Sequence, residues 1–168
     1  MPWYHLRVSH QTLLSREEAW EFLGTISNLE QMTPKHMRFK LLSDPHKKIE
    51  MGSVLAYSIC PLPFVKMLWV SEISAYEPMK RFCDTQLSGP YASWIHEHRI
   101  EGEDDGPCTL IDEVFFELPL GVLGTLAYVL FVKSALLKAF SYRRHKLNEL
   151  TNNDSTLEYQ LTLKRIKA

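Results

Sequence analysis

The chain is poor in cysteine, and this limits the kind of protein it can be. Its three cysteines, Cys60, Cys83 and Cys108, are widely spaced, odd in number and contain no CxxC pair. A disulfide framework or a structural zinc site is therefore not expected, and a reducing compartment is favoured. The opening residues, MPWYHLRVS, lack a charged segment followed by an apolar core, so no secretory signal is indicated. We predict a cytoplasmic protein.

An excess of charge of either sign is also missing. The formal net charge is −1, from 19 lysines and arginines against 20 aspartates and glutamates. A basic surface large enough to hold a nucleic acid backbone is therefore not indicated, and we expect no nucleic acid partner.

The chain has no apolar run long enough to cross a bilayer with ease. Its most apolar stretch, Leu118 to Val132, is shorter than the roughly 20 residues that a membrane-spanning helix needs. It also contains Pro119, Gly121 and Gly124. The stretch is therefore predicted to be a buried helix rather than an integral membrane segment.

The motifs of several enzyme classes are absent from the sequence. It contains no glycine-rich phosphate loop and no GxSxG nucleophile elbow, and no evident base accompanies Cys83 or Cys108. No cofactor is expected. Whether the protein is an enzyme stays open at this point, with a non-enzyme favoured.

What the chain does contain is typical of one globular domain. Hydrophobic residues make up 45% and charged residues 23% of it. After a first strand, Ser15 and Glu18 form a capping-box pattern at the start of a helix, and Asn28 is expected to separate it from a second short helix. Alternating residues then predict about six strands, beginning with Met37 to Leu42 and ending near Leu118.

A long helix is predicted from Leu120 to Leu150, with basic residues along its second half. Its first half is apolar on almost every face, so a sheet should curl around it. The result is an α+β fold, in which a curved antiparallel sheet of six to seven strands is wrapped round the C-terminal helix. We predict a single domain over residues 1–150. Residues 151–168 form a tail in which alternating leucines suggest an edge strand.

Polar residues occupy the predicted inner face of the stretch from Arg81 to Pro119. Successive side chains on a strand point to opposite faces, and in WIHEHRIE the glutamates and the arginine share one face. Trp94, His96 and His98 then point inward. By the same argument Asp112, Val114, Phe116 and Leu118 point inward on the following strand, and Phe82, Asp84 and Gln86 on the preceding one.

The hairpin turns suggest a strand register for these residues. Folding about the two loops would place His98 opposite Asp112 and Asp84 opposite His96. The Cβ atoms of residues opposed in this way are about 4.5–5.5 Å apart. Two His–Asp pairs would lie side by side. They could satisfy each other structurally, orient a polar group of a ligand, or supply a general acid. Thus His96, His98 and Asp112 are also candidate catalytic residues.

A metal site at the same place is the weaker hypothesis. His96, His98 and Asp112 could provide three ligands, but histidines two apart on a strand are more often not a ligand set. No metal site is predicted. Trp69 is expected in the core or in a cavity wall. Tyr142, Arg143 and Arg144 are expected at a solvated helix end, with a lid contact as the less favoured alternative.

The order of elements resembles the helix-grip fold of the START-like (SRPBCC) superfamily, to which the birch-pollen allergen group, lipid-transfer START domains and polyketide cyclases belong. A bacterial subgroup of small members is the closer match. It is similar in the positions Arg81, Phe82, Asp84, Gln86, Gly89, Pro90, Trp94, His96, His98, Thr109, Asp112, Val114, Leu118, Pro119, Gly121, Phe140, Tyr142 and Arg143. The resemblance covers about Trp3 to Leu150.

The resemblance implies a deep cavity between sheet and helix for an apolar or amphipathic ligand. It also implies that many members bind without catalysis, whereas some cyclise or dehydrate polyketides, and that a partner enzyme related to nucleotide-sugar epimerases is conceivable. The expected ligand-binding residues are Trp69, Phe82, Asp84, Gln86, Trp94, His96, His98, Asp112, Val114 and Phe116.

Three functions therefore remain open: binding or transport of a hydrophobic or amphipathic small molecule, a cyclase- or dehydratase-type enzyme, and a protein-interaction module. An apolar cavity favours the first, histidines at an open cavity favour the second, and a filled core with an exposed apolar patch favours the third.

Overall fold

The computed structural model describes residues 2–62, 65–152 and 156–166. Within these ranges it contains an eight-stranded antiparallel sheet, two short helices after the first strand and a long C-terminal helix. Residues 153–155 and 167–168 of the predicted tail lie outside the described residues.

The strands are β1 (Trp3–Thr12), β2 (Lys40–Leu41), β3 (Val54–Leu62), β4 (Val65–Glu77), β5 (Arg81–Ser88), β6 (Ser93–Gly102), β7 (Cys108–Glu117) and β8 (Tyr159–Arg165). The helices are α1 (Arg16–Gly24), α2 (Ile26–Gln31), α3 (Val122–Ala127) and α4 (Lys133–Thr151).

The sheet has the strand order β2-β3-β4-β5-β6-β7-β1-β8. Strands β2 to β7 form a meander, and β1 then pairs with β7 on one side and with β8 on the other. The suggested edge strand in the tail is therefore present. Its alternating side chains Tyr159, Leu161 and Leu163 pack against the main core.

The first helix begins as predicted, but its end is different. Ser15 accepts a hydrogen bond from the Glu18 backbone, and the Glu18 carboxylate accepts one from the Ser15 backbone, which completes the capping box. The break lies at Thr25, whose backbone is extended, and not at Asn28. Asn28 instead donates a side-chain hydrogen bond to the carbonyl oxygen of Phe22, so it satisfies the end of α1 from within α2.

The strand predicted from Met37 to Leu42 is mostly absent. Lys35–Met37 form a short 3-10 turn, and Arg38 takes a left-handed backbone conformation with φ of 45°. This conformation interrupts an extended chain, and it leaves only the two residues of β2 to pair with β3.

The C-terminal helix runs without interruption from Val122 to Thr151, with a π-helical turn at Tyr128–Val132 joining α3 to α4. Its buried residues Leu136, Phe140 and Leu147 share one face, which lies against the sheet. The α+β prediction with a sheet and a long gripped helix is confirmed.

The sheet does not cover the first half of this helix on all sides, contrary to the expectation. The outward face of α3 and the π-helical turn is exposed: Val122 is 85% and Val129 is 68% accessible. The other exposed apolar residues of this segment are Leu120, Leu123, Leu126, Leu130 and Phe131. An antiparallel sheet can grip only one face of a helix, so the opposite face stays in solvent.

By length and composition, the helix from Val122 to Thr151 could also cross a membrane, a property that core helices of soluble proteins share. The absence of an integral membrane segment therefore stays a prediction. An exposed apolar patch is what an interaction module was expected to show, whereas the cavities described next are those expected of a ligand-binding protein.

Candidate functional site

The candidate site lies on the inner face of β5, β6 and β7. In the sheet, His98 pairs with Asp112 and Trp94 pairs with Phe116. Asp84 pairs with His96 across β5 and β6. The predicted registers of both hairpins are confirmed, and all of these side chains point toward the C-terminal helix.

Asp112 contacts both imidazole rings. Its Oδ1 lies 3.0 Å from Nε2 of His96, which donates a hydrogen bond, and 2.8 Å from Nδ1 of His98. The second contact is an ion pair only, because the N–H direction of the buried His98 nitrogen does not meet hydrogen-bond geometry. One carboxylate oxygen thus contacts two adjacent histidines, whose ring centroids are 3.8 Å apart and whose ring planes are tilted by 39°.

Asp84 faces the opposite edges of the same two rings. Its Oδ1 lies 3.5 Å from Nδ1 of His96 and 3.4 Å from Nε2 of His98. Its other oxygen accepts a long hydrogen bond, 3.4 Å, from the hydroxyl of Ser71, which in turn accepts one from the indole N–H of Trp69. The four ionisable groups Asp84, His96, His98 and Asp112 are called the His–Asp cluster below.

Arg143 completes the cluster from the helix side. Its Nη2 lies 3.7 Å from Oδ1 of Asp112, and its side chain is 17% accessible. The guanidinium therefore supplies a positive charge beside a carboxylate that has little contact with water.

The carboxylates of the cluster are held in the ionised form. Burial alone would raise the pKa of Asp112, but the charge of Arg143 and the contacts of His96 and His98 hold this pKa well below its usual value. Burial also acts to raise the pKa of Asp84, but contacts with His98 and His96 bring this pKa below its usual value.

The two histidines differ in their affinity for a proton. Burial and the neighbouring His98 lower the pKa of His96. Burial also acts to lower the pKa of His98, but the contacts with Asp112 and Asp84 raise it above the usual value. The cluster therefore holds one proton on His98 more readily than on His96, since two adjacent imidazolium ions would repel each other.

A cavity of about 180 Å³ lies between the sheet and the helix at this cluster. We call it the polar chamber. Its polar wall is formed by Tyr57, Trp69, Ser71, Asp84, His96, His98 and Arg143, and apolar residues such as Leu55, Ile59 and Phe140 line the rest.

A second cavity of about 230 Å³ adjoins the first. We call it the apolar chamber, because its wall is made by residues such as Val65, Met67, Leu118, Leu123, Ala127 and Val132. The two chambers share the residues Met37, Pro61, Tyr91, Leu136 and Ala139. The space between sheet and helix thus has an ionisable end and an apolar end.

No protein-family model matches the sequence, and no curated protein is significantly similar to it. Solved structures, however, are similar. A START superfamily protein from Mycobacterium smegmatis superimposes with a TM-score of 0.65 at 10% identity, over 88% of this chain and 97% of that one. The ginseng major latex-like protein 151 from Panax ginseng gives a TM-score of 0.60 at 10% identity, over 90% and 99% of the two chains.

The protein has the helix-grip fold of the START-like superfamily. At these identities the likeness establishes the fold alone. The nucleoside-diphosphate sugar epimerase from Corynebacterium glutamicum is also similar, with a TM-score of 0.59 and 21% identity. That match covers 85% of this chain but 28% of the epimerase, so this helix-grip chain spans a minor part of the epimerase's length.

The helix-grip framework brings most of the predicted ligand-binding residues into or next to the polar chamber. Trp69, Asp84, Trp94, His96 and His98 line it directly. Asp112 lies behind the histidines, at a small cleft of about 20 Å³ on the far side of Phe140 and Arg143.

The other predicted residues support this wall. Phe82 stacks on His98 with ring centroids 4.4 Å apart. Val114 and Phe116 are fully buried in the core beside Tyr4. Gln86 exchanges hydrogen bonds with the backbone of Tyr91 and so shapes the loop that carries this tyrosine.

Three residues of the polar wall of this chamber, Tyr57, Ser71 and Arg143, are not among the site residues predicted from the sequence. Arg143 was expected at a solvated end, but it lies three residues after Phe140 and four before Leu147, on the buried face of α4. This spacing could have revealed it. Ser71 lies between Trp69 and Ile73 at the strand period of two, which likewise places it on the inner face.

Proposed function

We propose that the protein binds an amphipathic small molecule in the joined chambers between the sheet and the C-terminal helix. The observation that carries this proposal is an asymmetry in polarity. Ionisable side chains form one wall of the polar chamber, whereas the apolar chamber has no charged residue among the described residues that line it. Together the chambers fall within the size range of small-molecule sites, which is roughly 300–1,000 Å³.

The polar chamber suits an oxygen-bearing group of the ligand, such as a hydroxyl or a carbonyl. Imidazole N–H groups and the guanidinium of Arg143 can donate hydrogen bonds to it, and Asp84 can accept one. Arg143 and the raised pKa of His98 offset the negative charge of Asp84 and Asp112, so the ligand's polar group need not be charged.

Native mass spectrometry of the purified protein tests the proposal, because a bound molecule adds its mass to the folded protein. We expect a co-purified ligand, or a rise in melting temperature with long-chain amphiphiles or aromatic polyketides. The binding proposal is wrong if the protein carries no ligand and its melting temperature is unchanged by these compounds.

A cavity-filling substitution makes this test specific. Ala139 contributes to both chambers, so Ala139→Trp should fill the passage between them and abolish ligand retention. Ser134→Trp adds a similar side chain at an exposed position of the same helix and should retain the ligand. Equal retention by both variants would place the ligand elsewhere.

A second candidate is a cyclase- or dehydratase-type enzyme. The observation in its favour is that His98 lines the polar chamber between two carboxylates that raise its pKa, so its imidazolium form could protonate a leaving hydroxyl. If catalysis occurs, incubation with an aromatic polyketide should yield dehydrated or ring-closed products. His98→Gln should abolish product formation while the variant still retains the ligand.

A partner enzyme remains a prediction as well. It is supported by the similarity to part of the epimerase chain, and co-purification of the protein with a nucleotide-sugar-modifying enzyme is the measurement that checks it. A cytoplasmic location likewise stays a prediction from the cysteine content.

A further inference from the structure

We propose that Asp84, His96 and His98 form a binding site for a divalent first-row transition metal ion such as Zn²⁺, with Asp112 orienting both imidazoles. This differs from the sequence prediction, in which Asp112 was the carboxylate ligand and no metal site was expected. The proposal does not depend on the identity of the organic ligand.

The separations of the three side chains fit a shared metal better than direct hydrogen bonds. One ligand atom of each residue lies within 4.8 Å of the other two. The Asp84 oxygen is 3.5 Å from Nδ1 of His96 and 3.4 Å from Nε2 of His98, which is long for N–H···O bonds. Two tetrahedral ligands at about 2.0–2.1 Å from one zinc ion are about 3.4 Å apart.

The other edge of each ring is already occupied by Asp112. Nε2 of His96 and Nδ1 of His98 both lie within 3.0 Å of Oδ1 of this residue. Histidines that bind metals usually present their second nitrogen to a carboxylate or carbonyl, which fixes the tautomer and turns the free lone pair toward the metal. In this arrangement Nδ1 of His96 and Nε2 of His98 both face Asp84, and a metal ion bound there would displace any proton from Nε2 of His98.

The site would keep an open coordination position. Asp84, His96 and His98 line the polar chamber, so a metal among them is reachable by a small molecule. Three protein ligands with nitrogen and oxygen donors and one open position are typical of catalytic zinc and of other divalent metals, not of closed structural sites.

Metal titration of the full chain tests the proposal. After treatment with EDTA and dialysis, isothermal titration with Zn²⁺ should show one saturable site per chain. Asp84→Asn should lower the affinity at least tenfold, and Asp112→Asn should lower it about 10- to 100-fold through loss of orientation. His10→Gln, at a buried histidine outside the cluster, should bind as the unmodified protein does. Absence of saturable binding, or unchanged affinity in Asp84→Asn, overturns the site.

A spectroscopic measurement on the unmodified protein covers the case in which a variant does not fold. X-ray absorption of the zinc-loaded protein should show two imidazole nitrogens and oxygen donors at about 2.0–2.1 Å. Cobalt loading should produce visible bands without thiolate charge transfer. Sulfur in the coordination shell would instead place the metal on a cysteine, and this result would refute the proposed site.

Discussion

His98 and Asp112 lie directly opposite each other on β6 and β7, with Nδ1 of the imidazole 2.8 Å from Oδ1 of the carboxylate. Both residues are buried, with 7% of His98 and 9% of Asp112 accessible to solvent. A charged pair with so little water around it depends on its partners for stability, because each ion left alone would keep its desolvation cost.

Removing the Asp112 carboxylate should therefore destabilise the metal-free protein strongly. For Asp112→Ala we expect a loss of about 3 kcal/mol or more in the free energy of unfolding, as is typical when one partner of a buried ion pair is removed. Urea unfolding followed by circular dichroism measures this change.

The neighbouring residue provides the matched control. Glu113 points outward and pairs with Arg7 and Arg99 in more accessible contacts. Glu113→Ala should cost about 1 kcal/mol or less. Equal losses for both variants would show that the buried carboxylate of Asp112 stabilises the fold no more than the more accessible carboxylate of Glu113 does.

The stability of the protein should depend on His10 as the pH changes. His10 is buried, with Nε2 3.0 Å from Oδ1 of Asn148, and burial lowers its pKa; Arg144, Asp112 and Arg143 are the charged groups that act on it. As the pH falls below about 6.5, the unfolded chain binds a proton on this residue before the folded chain does, so folding stability is lost.

In His10→Asn this titration is absent. The variant's free energy of unfolding, measured in urea over roughly pH 5 to 8, should fall less toward acid than that of the unmodified protein. His36→Asn, at an exposed histidine, should retain the full pH dependence. A parallel pH profile for His10→Asn would contradict the assignment.

The edge strand β8 should contribute measurably to stability. Leu161 lies opposite Val8 and packs against the core from a half-buried position, so Leu161→Ala should cost about 1–2 kcal/mol, less than a fully buried leucine. Thr162→Ala, on the exposed face of the same strand, should change the free energy of unfolding by under about 0.5 kcal/mol. Thermal unfolding of the two variants compares them directly.

The loop that carries Tyr91 should be sensitive to Gly89. A Cβ at this position would collide with the amide of Gln86, which holds the Tyr91 backbone. Gly89→Ala and Gln86→Ala should therefore break the same interaction, and the double variant should be destabilised by less than the sum of the two single changes. Additive losses in urea unfolding would show that the two residues act separately.

The sheet and the placement of the polar wall could be predicted from the sequence because strand parity is strict. Charged residues at every second position of β6 determine the outward face, and this puts His96 and His98 inside. The positions of the two hairpin loops then predict the register of β6 with β5 and with β7. The contact of Asp84 with His98, a diagonal neighbour, could not be obtained in this way, since it depends on how far the two side chains reach.

Other features depend on packing between elements, which periodicity does not determine. Arg143 has the spacing of a buried residue, but its charge suggested solvent, and only the position of α4 over the cluster brings it to Asp112. The exposed face of α3 was missed for the opposite reason. Its hydrophobic composition indicates burial, but a helix that packs on one sheet buries only one side and leaves the other exposed.

The position of β1 in the sheet has a consequence for the order of folding. During synthesis β1 emerges from the ribosome before both strands with which it pairs. Tyr4 pairs with Phe116 and Leu6 pairs with Leu163, so these pairings cannot form until the later residues have been synthesised. Such distant pairings slow folding and leave apolar strand edges open in the meantime. The hairpin that carries the histidines can form much earlier. The nascent chain should therefore build the wall of its site first and close the sheet last, with β1 as the segment that chaperones have most reason to protect.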